Sequence, residues 1–170
     1  ERETETYNIV RHAGTTWAML DAVGFTRDRE LQAAAARAVR RLREALQPVP
    51  ASRGSGRCVV LNGVSELGAS ALATVALVEA ARVTSDPAAL ADARELGRGI
   101  LSLQDPSGEY RIHEFDHPSG APRPNLCEYY PGEAALAFVR LHSLDPDGPW
   151  LAAAERGVRL RSVRAPAVAR

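Results

Sequence analysis

A glycine-led unit that occurs three times along the 170 residues places the strongest constraint on the fold of this chain. The glycines of the three copies are Gly14, Gly68 and Gly132. In each copy the glycine opens an apolar segment, an acidic turn follows, and a more charged segment comes last. Each copy is therefore predicted to be a helical hairpin, with the three hairpins at about 13–46, 67–103 and 131–160.

The two segments of a copy differ in polarity. The first is apolar on all sides, as in residues 71–78, whereas the second carries charges such as Arg37, Arg40 and Arg41. A helix that is apolar all round is buried, and a helix with a charged face meets solvent on that face. We therefore predict an all-α fold, a partial α/α toroid with apolar inner helices and amphipathic outer helices.

The links between segments are of two kinds. Within a copy they are short, and Asp86-Pro87 and Asp147-Gly148-Pro149 have the composition of helix stops and starts. Between copies they are long, at 47–65 and 105–130. We expect a short extended piece at 58–61 and a small β-hairpin arm at 108–115. The domain is predicted to span residues 7–160, followed by a disordered tail at 161–170.

The composition of the chain limits the kinds of partner and ligand that we expect. Basic and acidic residues balance at 21 each, which gives no argument for a nucleic-acid partner. We found neither an 18-residue uncharged apolar run nor a signal-peptide pattern, so we expect a cytoplasmic protein without a membrane partner. The two cysteines, Cys58 and Cys127, are too few for a disulfide scaffold and are expected to be free thiols. No zinc-binding spacing is present, and we expect neither a metal nor a cofactor.

Four motifs resemble the six-hairpin, (α/α)6-toroid superfamily, which includes glycoside hydrolases, unsaturated-uronyl hydrolases and sugar 2-epimerases. They are Arg-His-Ala-Gly-Thr-Thr-Trp-Ala at 11–18, Glu-Leu-Gly-Ala-Ser-Ala-Leu-Ala at 66–73, Leu-Ser-Leu-Gln-Asp-Pro-Ser-Gly-Glu-Tyr at 101–110 and Glu-Tyr-Tyr-Pro-Gly-Glu-Ala-Ala-Leu at 128–136. The resemblance extends over residues 7–158 and is one of architecture. It implies a carbohydrate-active protein, a glycosidase or sugar epimerase, with a saccharide or other small-molecule substrate.

A closed ring of this superfamily has six hairpins, whereas this sequence has three. We expect a truncated ring, because open inner helices rich in Ala, Leu and Val would promote aggregation. A second copy in a homodimer, or a missing half-ring partner, would complete it.

Candidate site residues follow from parallel inner helices, which bring the segments before the three glycines to one end of the ring. We predict Glu66, Glu128 and Glu133 as catalytic carboxylates. Sugar chemistry needs a proton donor and a proton acceptor, and burial would raise the pKa of one member of a pair such as Glu66 with Glu128 or Glu133. Substrate-binding residues are predicted to be Arg11, His12, Tyr129 and Tyr130.

Each of these residues also has a structural interpretation. Glu133 would stabilise the first turn of its helix, and Glu66 lies where a helix N-cap is expected. Arg11 would pair with Glu66 or Glu133, His12 would satisfy a structural hydrogen bond, and the tyrosines would pack at the ring's mouth.

Two other functions remain open at this stage. One is a non-catalytic helical-repeat scaffold that binds protein through its concave face. The other is a cyclase-type toroid. A lanthionine cyclase would need zinc on Cys58, Cys127 and His113 or His142, and a terpene cyclase would need an Asp-rich motif that Asp145-Pro146-Asp147 matches poorly.

Overall fold

The computed structural model describes the backbone of residues 7–164 and the side chains of residues 7–159. Three helical hairpins and a small sheet make up this part of the chain. The helices are α1 (Ile9–Thr26), α2 (Arg29–Glu44), α3 (Leu67–Thr84), α4 (Pro87–Leu103), α5 (Tyr130–Leu144) and α6 (Trp150–Arg164). The strands are β1 (Leu46–Pro48), β2 (Arg57–Leu61), β3 (Val64–Glu66) and β4 (Glu114–Asp116). The three predicted hairpins of a mostly helical fold are confirmed.

Short polar side chains fix where the helices begin. The carboxylates of Asp28 and Asp86 accept hydrogen bonds from the backbone amides of Leu31 and Ala88, at 2.8 Å each, and Pro87 occupies the first turn of α4. Helix α1 begins at Ile9, earlier than predicted, because the Asn8 side chain accepts from the Arg11 amide at 2.9 Å. Local capping chemistry therefore sets these boundaries.

Helix α3 is the centre of the fold. It lies between α1 and α5 and runs parallel to both. A methyl group on Gly14 would lie 3.7 Å from Leu72, whereas one on Gly68 would meet Tyr130 and Glu133. Helices α2, α4 and α6 pack on the outer side of their own inner helices. This confirms the inner and outer rows, although among the described side chains α3 is the one helix buried on all sides.

Helix α1 and helix α5 bury one face each, since each has an inner-row neighbour on one side only among the described elements. Helix α3 is also long and apolar enough to span a membrane by length and composition, with a mean hydropathy of 1.3. Because 78% of it is buried inside the protein, its packing is that of a core helix.

The two long connections form one four-stranded antiparallel sheet in the order β1-β2-β3-β4. Strand β2 confirms the extended piece predicted at 58–61. The small β-hairpin arm predicted at 108–115, before the turn at 118–120, is confirmed in part: its strand begins only at Glu114 and pairs with 121–123 across that turn. On its other edge this strand pairs with β3, with Glu66 opposite Glu114 and Ser65 opposite Phe115. The pairing of β3 with β4 joins residues about 50 positions apart, so no pattern in the local sequence predicts it.

Helix α6 continues to Arg164, so residues 161–164 lie in a helix rather than in the disordered tail predicted from residue 161. Residues 165–170 lie outside the described part of the chain.

Candidate functional site

An acidic cluster forms where the first turns of α3 and α5 meet the end of the sheet. Glu66 ends β3 and occupies the N-cap position of α3, without making a side-chain capping bond. Tyr130 opens α5, and its hydroxyl donates a hydrogen bond of 2.6 Å to Oε2 of Glu66. The predicted mouth residues Glu66 and Tyr130 are therefore in direct contact, across two parallel inner helices.

Glu133 lies in the first turn of α5 and faces the backbone of α3. A methyl group on Gly68 would lie 2.6 Å from Oε2 of Glu133 and 2.4 Å from two ring carbons of Tyr130. That oxygen of Glu133 is buried and has no hydrogen-bond partner among the described residues. Burial raises the pKa of Glu133, because a carboxylate loses hydration there without gaining a partner.

Tyr130 remains a hydrogen-bond donor throughout the neutral range. Burial is the main cause of its raised pKa, followed by the hydrogen bond to Glu66 and by the negative charge of Glu66 and Glu114. All three effects disfavour a phenolate. Tyr130 therefore donates to Glu66 and fixes the orientation of that carboxylate.

Two residues of the second connection complete the cluster, and sequence reasoning did not assign them to the site. Glu114 is only 9% exposed, lies opposite Glu66 in the sheet and accepts a hydrogen bond from the side chain of Asn125. His113 lies beside Tyr130, with 6.0 Å between the ring centroids. The only available signal was the alternation in 108–115, which predicts a strand but not its partner.

The hydrogen bonds of His113 define its protonation. Nδ1 accepts from the backbone amide of Cys127 at 2.8 Å, and Nε2 lies 3.1 Å from the carbonyl oxygen of Tyr110. A nitrogen that accepts from an amide carries no proton, so the proton is on Nε2 and donates to that carbonyl. His113 is therefore a neutral, structural imidazole that holds the loop before α5 against the sheet.

The other predicted site residues lie apart from this contact. Nε2 of His12 is 3.0 Å from the carbonyl oxygen of Ala38, which turns its ring toward α2. Arg11 is exposed and forms no ion pair with Glu66 or Glu133 in the described part of the chain. Tyr129 is 76% exposed, and Glu128 is exposed beside it in the turn before α5. Arg11 and His12 are thus not brought into the acidic cluster.

The inner row of helices carries a second feature that the sequence did not indicate. The guanidinium carbon of Arg140, on α5, lies 5.7 Å from the ring centroid of Trp17, on α1. The indole nitrogen of Trp17 is buried and has no hydrogen-bond partner among the described residues. Two inner helices that are not neighbours therefore meet across α3 through these long side chains.

The two cysteines lie in different surroundings. Cys58 is buried with Val49 and Phe115, whereas Cys127 is half-buried beside His113. The described side chains contain no group of three His, Cys, Asp or Glu residues that could hold a metal ion. The zinc arrangement that a lanthionine-cyclase function would need is thus not formed by these residues.

Solved structures identify the architecture. An α-1,6-mannanase from a Salegentibacter species, solved in complex with α-1,6-mannotriose, matches with a TM-score of 0.78 and 20% identity, over 95% of this chain and 48% of that chain. The fold is that of an (α/α)6 toroid, over about half of its ring. A family 76 α-mannanase from Bacteroides thetaiotaomicron matches with a TM-score of 0.76 and 14% identity, over 95% of this chain and 46% of that one.

A cellobiose 2-epimerase from Spirochaeta thermophila matches this toroid half with a TM-score of 0.72 and 21% identity, over 89% of this chain and 42% of that chain. The chain therefore spans about half the length of the solved structures that it matches. No family model and no curated protein matches the sequence. At these identities the likeness establishes the fold alone, and it confirms the predicted partial α/α toroid.

Proposed function

We propose that this toroid half is part of a carbohydrate-active enzyme, a glycosidase or a sugar epimerase. The observation that carries the proposal is Glu133, beside the Glu66–Tyr130 pair: its buried oxygen has no hydrogen-bond partner among the described residues, and its pKa is raised. The similar solved structures include enzymes named for mannan and cellobiose, and one was solved with bound mannotriose. A scaffold function gains no comparable support.

Glycoside cleavage and sugar epimerisation both need one group that gives a proton and another that accepts one. Glu133 suits the donor, because its raised pKa retains the proton closer to neutral pH. Glu66 suits the acceptor, since it has no Arg partner within 4 Å in the described part of the chain and Tyr130 holds one of its oxygens. We assign the second oxygen of Glu66, which accepts no hydrogen bond from the described side chains, to the substrate.

We assign substrate binding to Trp17 and Arg140 of the inner row. Trp17 offers an aromatic surface, which suits the face of a sugar ring. Arg140 is already placed on the same ring. We expect the substrate to span from Trp17 to the acidic cluster.

The proposal covers both reaction types, because Glu133 and Glu66 supply the proton donor and the proton acceptor that each of them needs. The complete activity is proposed for a closed ring, whose other half is supplied by a second copy or by further sequence.

The test combines ligand binding with product analysis. Thermal unfolding is measured with and without cellobiose and α-1,6-mannotriose, and products are separated by anion-exchange chromatography. Glu66→Gln and Glu133→Gln should retain the fold but lose turnover, while Glu30→Gln, an exposed carboxylate on α2, serves as the matched control. No ligand-induced shift in wild type, together with unchanged stability in both Gln variants, would contradict the proposal.

A further inference from the structure

An apolar groove lies at the opposite end of the inner helices from the acidic cluster. Its volume is about 630 Å³, and its floor is formed by Leu20, Val23, Val39, Ala80 and Val83. Ala80 lies about 20 Å further along α3 than Glu66, at 1.5 Å per residue. A cavity of this size falls in the range of small-molecule sites, about 300–1,000 Å³. The groove is therefore a separate compartment from the proposed saccharide site.

Most of the charged side chains at the rim of the groove form ion pairs with neighbouring side chains. Arg43 is held by two carboxylates, with Nε 2.7 Å from Asp92 and Nη1 3.4 Å from Asp86. Glu44 has its own partner, Arg41, at 3.8 Å. Arg40 also lines the groove, is exposed, and forms neither an ion pair nor a hydrogen bond within the described part of the chain. The charge left unpaired at this rim is therefore a positive one.

We propose that this groove binds an amphipathic carboxylate, with its alkyl chain on the apolar floor and its carboxylate paired with Arg40. The floor removes the alkyl chain from water, and the guanidinium can hold a carboxylate through two parallel hydrogen bonds. Alkyl ammonium ions fit the same floor but meet a like charge at the rim. This inference goes beyond the proposed function, because it involves none of the residues of the acidic cluster.

Isothermal titration with octanoate, decanoate and dodecanoate, each below its micelle concentration, tests the chain-length requirement. Affinity should rise along the series, by about fourfold for each methylene that becomes fully buried. Dodecyltrimethylammonium, which carries the opposite charge on the same alkyl chain, should bind much more weakly than dodecanoate. Equal binding of the two amphiphiles, or no binding of dodecanoate, would overturn the proposal.

Variants at two exposed positions on α2 distinguish binding in the groove from nonspecific binding of the amphiphile. Ala36 lines the groove, so Ala36→Phe should fill it and abolish dodecanoate binding, while Ala33→Phe, on the same helix but outside the groove, should bind as wild type does. Arg40→Ala should weaken dodecanoate binding about threefold to fivefold and should strengthen binding of the alkyl ammonium, which no longer meets a like charge at the rim. Arg37→Ala is its control. Binding that survives Ala36→Phe, in a variant with wild-type circular dichroism, would show that the amphiphile binds elsewhere.

Discussion

The three repeat glycines look equivalent in the sequence, but the structure predicts that alanine at Gly68 will change stability differently from alanine at Gly14 or Gly132. A methyl group on Gly68 would lie 2.4 Å from two ring carbons of Tyr130. On Gly14 it would lie 3.7 Å from Leu72, an ordinary contact, and on Gly132 it would have no neighbour within 4 Å. Of these three glycines, Gly68 alone is therefore required for close packing.

The expected magnitudes follow from these distances. Carbon atoms pack at about 3.5–4.0 Å, so Tyr130 must move by more than about 1 Å in Gly68→Ala. Overpacking of this kind costs about 1–3 kcal/mol, and the better helix propensity of alanine returns up to about 1 kcal/mol. We expect a net loss of about 1–2 kcal/mol for Gly68→Ala, against a gain of up to about 1 kcal/mol for Gly14→Ala and Gly132→Ala.

Urea and thermal unfolding followed by circular dichroism measure these differences, and in a chain of this size 1 kcal/mol shifts Tm by about 2–4 °C. A double-mutant cycle adds a second readout. If the added methyl displaces Tyr130 from Glu66, then Tyr130→Phe should cost less in the Gly68→Ala background than alone. A neutral Gly68→Ala, or a Gly132→Ala that is equally destabilising, would refute the reasoning.

Three further predictions concern single side chains. Tyr130→Phe removes the 2.6 Å bond to Glu66 and should lower the free energy of unfolding by about 1–2 kcal/mol at neutral pH, as measured by urea unfolding. The pKa of Glu133 is raised above its ordinary 4.5, so the protonated form stabilises the fold below pH 4.5 and this contribution is lost as pH rises through the folded-state pKa. Glu133→Gln should therefore have a higher Tm than wild type at pH 7 and should lose that advantage toward pH 4. The Asp105 carboxyl accepts hydrogen bonds from the Ser107 hydroxyl, from Arg111 and from two backbone amides, which lower its pKa to about 2; NMR titration should find that midpoint, and Ser107→Ala should raise it.

Each of these has a clear contrary outcome. Unchanged stability of Tyr130→Phe would show that the hydroxyl does not hold Glu66 in solution. A Glu133→Gln variant whose Tm falls most at neutral pH would mean that the charged form is favoured by the fold. An Asp105 midpoint at the ordinary value near 3.8 would show that its turn is open.

Local chemistry explains why the helices could be predicted. The interval 67–103 coincides with the second hairpin, because Asp86-Pro87 both ends one helix and starts the next within a few residues. The α1 boundary differed because Asn8 supplies a cap that lies upstream of the repeat motif. Short-range signals of this type are visible in a single sequence.

The site could be predicted only in part, because its geometry depends on contacts between distant segments. Glu66, Tyr130 and Glu133 follow from parallel inner helices, which the repeat indicates. Glu114 joins them only through the pairing of β3 with β4, which no local pattern encodes. His12 has the right position along its helix but the wrong side, since its ring bonds to Ala38 on α2.

The pairing of β3 with β4 closes a long loop of the chain, and this loop contains the second hairpin. Ser65 and Phe115 are hydrogen-bonded neighbours in the sheet, although the whole of α3 and α4 lies between them in sequence. Closing so long a loop costs chain entropy that only the collapsed hairpin can offset, so these strands are expected to pair late in folding. Glu66 and Glu114 are one of the residue pairs that join β3 to β4. The acidic cluster would then form as one of the last parts of the molecule, and a chain cut within the turn between α3 and α4 would still be held together by its sheet.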